Sequence, residues 1–148
     1  MSVVVDANLV AALLFPLPHS ANADKKRSAW ITAGERLFAP TLMEYEVCSA
    51  LRRALIGGLI EAHEVPPLIV QMRRLEIEIV TPTVALHTSA LRWAQRLGRA
   101  RTYDAHYLAV AEWLDSEFWT ADTRLYNRAR QLGLAWVHCI AAPAEPPA

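Results

Sequence analysis

Four acidic side chains sit where a folded chain should carry them inward: Asp6, Glu46, Asp104 and Asp122. Asp6 closes the run Val3-Val4-Val5-Asp6. Glu46 lies inside a long apolar helical segment, Asp104 heads another, and Asp122 follows Phe118-Trp119-Thr120-Ala121. Burying a carboxylate is costly unless something pairs with it. Two unit charges about 4 Å apart repel by roughly 4 kcal/mol at an effective dielectric of 20. If the four converge they need a cation, and all-oxygen ligands suit a hard divalent ion such as Mg²⁺ or Mn²⁺. Such ions clamp and polarise phosphoryl oxygens, so the pattern points to phosphate chemistry.

Each residue also has an ordinary structural reading. Asp6, Asp104 and Asp122 lie near expected helix N-termini, where Asp caps the helix and offsets its dipole. Capping does not explain Glu46, whose structural alternative is a helix-border pair with Arg53. On a wheel of about 100° per residue starting at Leu42, Glu46 falls near 40°, beside Ala50. Glu44 projects between Leu51 and Leu55, and the wheel does not choose between the two glutamates. The Thr120 hydroxyl could orient a water or a carboxylate, or Thr120 could be an ordinary strand residue. The five histidines show no metal-ligand spacing. Core packing is the default for the tryptophans, with Trp30 and Trp93 as possible interface anchors on amphipathic helices.

These side chains need strands and helices to hold them. Ser2 to Val5 reads as a buried central strand. A helix from Asn8 to Phe15 stops at Pro16 and Pro18. A second helix spans about Ser20 to Gly34, with Ser20 or Asn22 as its cap. Leu37 to Ala39 is a strand. Thr41 caps a helix from Leu42 to Ile56, closed by Gly57-Gly58. Pro66-Pro67 suits the first turn of a helix running to about Leu75. Glu76 to Val80 reads as a strand, Thr83 to near Gly98 as a helix, and Arg99 to Thr102 as a basic connector. Tyr103 to Leu114 is apolar nearly all round and predicts a buried helix. Phe118 to Thr120 is a strand, Thr123 to Leu132 a helix, and Ala135 to Cys139 a last strand. Alternating strands and helices predict a three-layer α/β/α domain with a mainly parallel central sheet over residues 1–140. The Ala/Pro-rich tail at 141–148 is expected to be disordered.

The chain has 148 residues, 53% of them hydrophobic and 20% charged, which suits one domain with a real core. Fifteen basic residues balance fifteen acidic ones, so any nucleic-acid contact must come from local clusters such as Arg52-Arg53 or Arg99 and Arg101. Cys48 and Cys139 have no metal spacing and read as reduced, buried residues. No run is long enough for a membrane span, and no signal segment opens the chain, so a soluble cytoplasmic protein is expected. A glycine-rich phosphate loop is missing, which removes P-loop and dinucleotide sites from consideration.

Taken together, the chain resembles the PIN-domain ribonucleases, specifically the small bacterial toxins of the virulence-associated protein C type. Val3 through Val10, with Asp6, is similar to the family's first motif. Pro40 through Arg53 is similar to its second, and that alignment selects Glu46 over Glu44. Tyr103-Asp104-Ala105-His106-Tyr107-Leu108 is similar to the third motif, and Phe118 through Leu125 to the fourth. Four motifs in order cover about residues 2 to 138. Ser49 stands where the family often has Asn, and Pro66-Pro67 interrupts a helix that is usually continuous.

The resemblance implies a Mg²⁺- or Mn²⁺-dependent endoribonuclease, commonly a homodimer, neutralised by a small antitoxin protein. Asp6, Glu46, Asp104 and Asp122 would hold the ion, and Arg99, Arg101 or Arg124 would hold flanking phosphates of the RNA. A haloacid-dehalogenase phosphatase is disfavoured because Asn8 stands where its second Asp would be. A response-regulator receiver lacks its paired early acids and late lysine here. The rival from another class is a PIN-like module that binds RNA or protein without cutting, whose signature would be missing carboxylates.

Overall fold

The computed structural model describes residues 1–141. Its centre is β1 (Ser2–Val5), where Val3, Val4 and Val5 are all buried. A β-branched run with both faces covered is what a central parallel strand requires. The other strands are β2 (Arg36–Pro40), β3 (Ile77–Val80), β4 (Glu117–Thr120) and β5 (Val137–Cys139). All pairings are parallel, in the order β3-β2-β1-β4-β5.

Among the described residues seven α-helices connect the strands: α1 (Ala7–Leu14), α2 (Ser20–Thr32), α3 (Leu42–Ile56), α4 (Val65–Arg74), α5 (Val84–Leu97), α6 (Tyr103–Leu114) and α7 (Thr123–Gln131). Helix α1 packs against α2, α3 and α4, while α5 packs against α6. The chain steps outward from β1 to β2 and β3, then returns across to β4 and β5. Right-handed crossovers put helices on both faces when the direction reverses, which makes the three-layer α/β/α domain. The reversal falls between β1 and β4, and open parallel sheets place ligand sites beyond the strand C-termini at that point.

Several local expectations are corrected. Ser20 is not an N-cap: its hydroxyl accepts from the Leu17 N–H and donates to the Phe15 carbonyl, which pins the loop before α2. Asn22 lies in the first turn of α2 and reaches the Ile140 carbonyl. The Thr41 side chain leaves the helix end uncapped and donates to the Val80 carbonyl. Strand β3 begins after Glu76 because that residue adopts a left-handed φ of 58°. A short 3-10 helix at Ala62–Glu64, held by a reciprocal capping box, was not anticipated. Helix α6 is not buried all round, since Tyr103 and Trp113 are exposed. Trp30 and Trp93 are core residues rather than interface anchors. Cys48 is exposed and Cys139 buried. Pro66 and Pro67 open α4 at its first turn, where their missing N–H groups cost nothing. The tail expected to be disordered lies, from residue 142 on, outside the described residues. No helix among the described residues is long and apolar enough to cross a membrane.

Candidate active site

Asp6 follows the last residue of β1 at the point of reversal. Its backbone N–H bonds to the Trp119 carbonyl of β4, which extends the sheet pairing by one residue. Oδ1 accepts from the Leu9 N–H at 2.9 Å, so the residue does cap α1. Oδ2 accepts the Thr120 hydroxyl. Only 6% of Asp6 is exposed. Burial pushes its carboxyl up to about 7, and the nearby Glu46 adds to this. Hydrogen bonds from Thr120 and the backbone oppose the shift without cancelling it.

Thr120 is fully buried at the end of β4. Its hydroxyl donates to Asp6 and accepts from the Asp122 N–H at 2.9 Å. It therefore fixes one carboxylate and the backbone of another rather than facing open solvent. Asp122 caps α7, accepting from the Arg124 and Leu125 N–H groups. It does not line the same cleft as the other three acids.

Glu46 lies one turn inside α3, where it accepts the Tyr107 hydroxyl of α6 at 2.6 Å. Burial is the main cause that raises its carboxyl, and Asp104 contributes, against Tyr107 and Arg53. Glu44 points elsewhere and pairs with Arg73 of α4 at 2.5 Å. Asp104 sits in the first turn of α6 and makes no cap. Burial raises its carboxyl too, with Asp122 adding and Arg99 opposing.

Asp6, Glu46 and Asp104 line one cleft of about 460 Å³. Repulsion links the acids in series: Asp6 with Glu46, Glu46 with Asp104, Asp104 with Asp122. Each of the three cleft carboxyls resists ionisation, so a cation placed among them would relieve all three. The donor set is entirely oxygen, which fits a hard divalent ion. Among the described residues no three His, Cys, Asp or Glu side chains are closed into a ready ligand cage. The fit is thus one of charge and donor type, with Asp6, Glu46 and Asp104 supplying the cleft and Asp122 acting on it electrostatically through Asp104.

Not every lining residue stood out in the sequence. Tyr107 is the clearest, buried beside Glu46 and stacked on Phe118 at 5.7 Å. Its place three residues after Asp104, on the same helix face, was a usable signal. Asn8, Ser49, Arg53 and Arg101 also line the cleft. Arg99 influences Asp104 electrostatically, whereas Arg124 lines no part of this cleft. His106 lies next to His87 rather than in the acidic cleft, and burial lowers its pKa.

Comparison with known proteins follows the same geometry. The sequence matches the PIN domain family over residues 3–131. No curated protein sequence matches the chain. Among solved structures it is similar to PAE2754 from Pyrobaculum aerophilum, with a TM-score of 0.68 and 21% identity. That alignment covers 95% of this chain and 85% of the other. It is also similar to VapBC2 from Rickettsia felis bound to a DNA fragment from their promoter. Here the TM-score is 0.65 and the identity 8%, covering 94% of this chain and 97% of the other. At such identities the likeness carries the fold, and the match over most of the sequence carries the family. This chain belongs to the PIN domain family.

Proposed function

We propose that this chain is a divalent-metal-dependent endoribonuclease that hydrolyses RNA phosphodiester bonds in the cytoplasm. The observation that carries this reading is the cleft holding Asp6, Glu46 and Asp104, each pushed toward its protonated form. Those three, with Asp122 coupled to them through Asp104, would hold Mg²⁺ or Mn²⁺. When bound, such an ion polarises a phosphoryl oxygen and makes water more acidic.

The chain's own residues have definable tasks. Thr120 holds Asp6 by one oxygen and Leu9 holds it by the other, so the carboxylate is fixed before substrate arrives. Tyr107 fixes Glu46 in the same way. Asp104 is the cleft acid without a hydrogen-bonded partner holding its side chain, which suits it to accept the proton of the attacking water. Arg53 and Arg101 in the lining supply cations for flanking phosphates.

The biological role we propose is that of toxin in a toxin–antitoxin pair of the virulence-associated protein C type. The fold shared with VapBC2 supports it. Ile56 and Leu59 near the end of α3, and Val70 on α4, are exposed apolar side chains that a second copy or an antitoxin could cover. The test is incubation of purified protein with RNA in Mn²⁺, Mg²⁺ or EDTA. Cleavage with either metal, lost in EDTA, is expected, with linear rather than cyclic phosphate ends. Metal-independent cleavage, or none under any condition, would remove this reading.

A further inference from the structure

A second cavity of about 260 Å³ opens beside the acidic cleft and shares Leu42, Tyr45 and Tyr103 with it. Val80, Leu86 and Val110 give it an apolar wall. Tyr45 is 69% exposed and Tyr103 53%. Among the described residues neither ring stacks on another or spends its hydroxyl on a hydrogen bond. His87 and His106 also line the cavity, edge to face with centroids 5.4 Å apart, and among the described residues neither imidazole makes a hydrogen bond.

We propose that this cavity receives an unpaired nucleobase of the RNA, adjacent to the phosphate held in the acidic cleft. Tyr45 and Tyr103 offer stacking faces, and His87 and His106 meet the base edge. The assignment rests on the nuclease reading above. Single-stranded RNA is recognised by splaying bases onto aromatic faces and bonding their edges. The volume lies below the roughly 300 Å³ at which pockets for drug-sized ligands begin, which suits one flat heterocycle. Continuity decides between occupants. A base is joined through its sugar to the phosphate, so a base slot must adjoin the phosphate cleft, as this one does at Leu42, Tyr45 and Tyr103. An aliphatic side chain of a protein partner would use the apolar wall alone and give two unbonded imidazoles nothing to do.

The test uses the full chain carrying Asp6→Asn, so that RNA is bound but not cut. Fluorescence anisotropy is measured with a single-stranded RNA spanning the mapped cut site. Parallel RNAs carry an abasic nucleotide at each position flanking the cut. One abasic position is expected to weaken binding about tenfold, the size of one stacked base. Tyr103→Ala and His87→Ala should weaken the intact RNA and erase its advantage over that abasic RNA. Tyr103→Phe keeps the stacking face and should retain affinity, which separates lost stacking from misfolding. Should Tyr103→Ala not fold, the more exposed Tyr45→Ala takes its place. RNA bound by Asp6→Asn with no abasic penalty at any position, and cut by the parent chain, overturns the base pocket and leaves the nuclease reading standing. No RNA binding or cleavage at all overturns both. Loss of binding to a co-expressed protein partner in these variants, with abasic RNAs bound normally, assigns the cavity to protein and overturns the proposal.

Discussion

Asp6→Asn is expected to abolish RNA cleavage and to make the metal-free protein more stable at neutral pH. Asp6 is buried, and burial raises its carboxyl from 3.8 to about 7. Ionising it in the folded state therefore costs up to about 4 kcal/mol relative to the unfolded chain. Asn has nearly the same shape, and its carbonyl can keep the bond from the Leu9 N–H. Its amide, however, meets the Thr120 hydroxyl, which loses an acceptor at a cost of about 1–2 kcal/mol. The net gain at mildly alkaline pH is about 2 kcal/mol, or roughly 4–8 °C in Tm for a domain of this size. The sign with pH follows from the folded-state value lying above the unfolded one. Between about 4 and 7 the folded chain binds more protons than the unfolded chain. Stability carried by that proton is complete below the unfolded value and is lost as pH rises through about 7. The variant's advantage should therefore be largest in alkaline buffer and shrink or reverse in acid. Urea denaturation of both proteins in EDTA, across a pH series spanning both values, measures it. A variant less stable than the parent at every pH, or a difference that does not move with pH, would refute the reasoning.

Other outcomes follow from the same geometry. Glu46→Gln should lower cleavage at least about a hundredfold, as loss of a positioned charged group does. Glu44→Gln should leave cleavage unchanged and cost no more than about 1 kcal/mol, because its partner Arg73 is largely exposed; equal losses of activity would show that the wrong glutamate was assigned. Millimolar Mn²⁺ should raise the melting temperature of the parent, by roughly 2.7 kcal/mol of stabilisation at a hundred times Kd, and should do so much less for Asp6→Asn. Tyr107→Phe should fold, since the ring still stacks on Phe118, and should slow cleavage about tenfold by freeing Glu46; unchanged activity would mean that Tyr107 does not position Glu46. A native thiol titration should find Cys48 fast and Cys139 slow, and two slow thiols would contradict the orientation of α3.

Most of the fold was legible because local and global signals agree. The valine run of β1 has no polar face, so it had to be central, and Asp6 directly after it had to lie at the sheet's C-terminal edge. The glutamates of α3 show where such reasoning stops. At about 100° per residue, buried Met43, Val47, Ala50, Leu51 and Ala54 fill an arc from about 80° to 180° on the wheel begun at Leu42. Glu46 and Glu44 border that arc on opposite sides, so periodicity treats them nearly alike. What separates them is tertiary: Tyr107 meets one and Arg73 meets the other. Cys48 falls beyond the Glu44 border, and a closer wheel would have placed it outside. Trp30 and Trp93 sit on the inward faces of their helices, and composition alone cannot tell a core tryptophan from an anchoring one. The capping role of Asp6 and Asp122 was foreseen as an alternative to a ligand role; Asp6 caps α1 with one carboxylate oxygen while the other accepts the Thr120 hydroxyl. The second cavity was not foreseen because its rim comes from β2, β3, α3, α5 and α6 together.

The central claim is that Asp6, Glu46, Asp104 and Asp122 together take up one hard divalent ion. Calorimetric titration of Mn²⁺ into the full chain, repeated in buffers of different ionisation enthalpy, tests it most directly. Because the cleft carboxyls resist ionisation, binding must displace protons. The account predicts saturable binding with proton release that diminishes as pH is raised, and a sharp loss of affinity in Glu46→Gln but not in Glu44→Gln. Absence of saturable binding by the folded protein, or binding indifferent to Glu46, would contradict it.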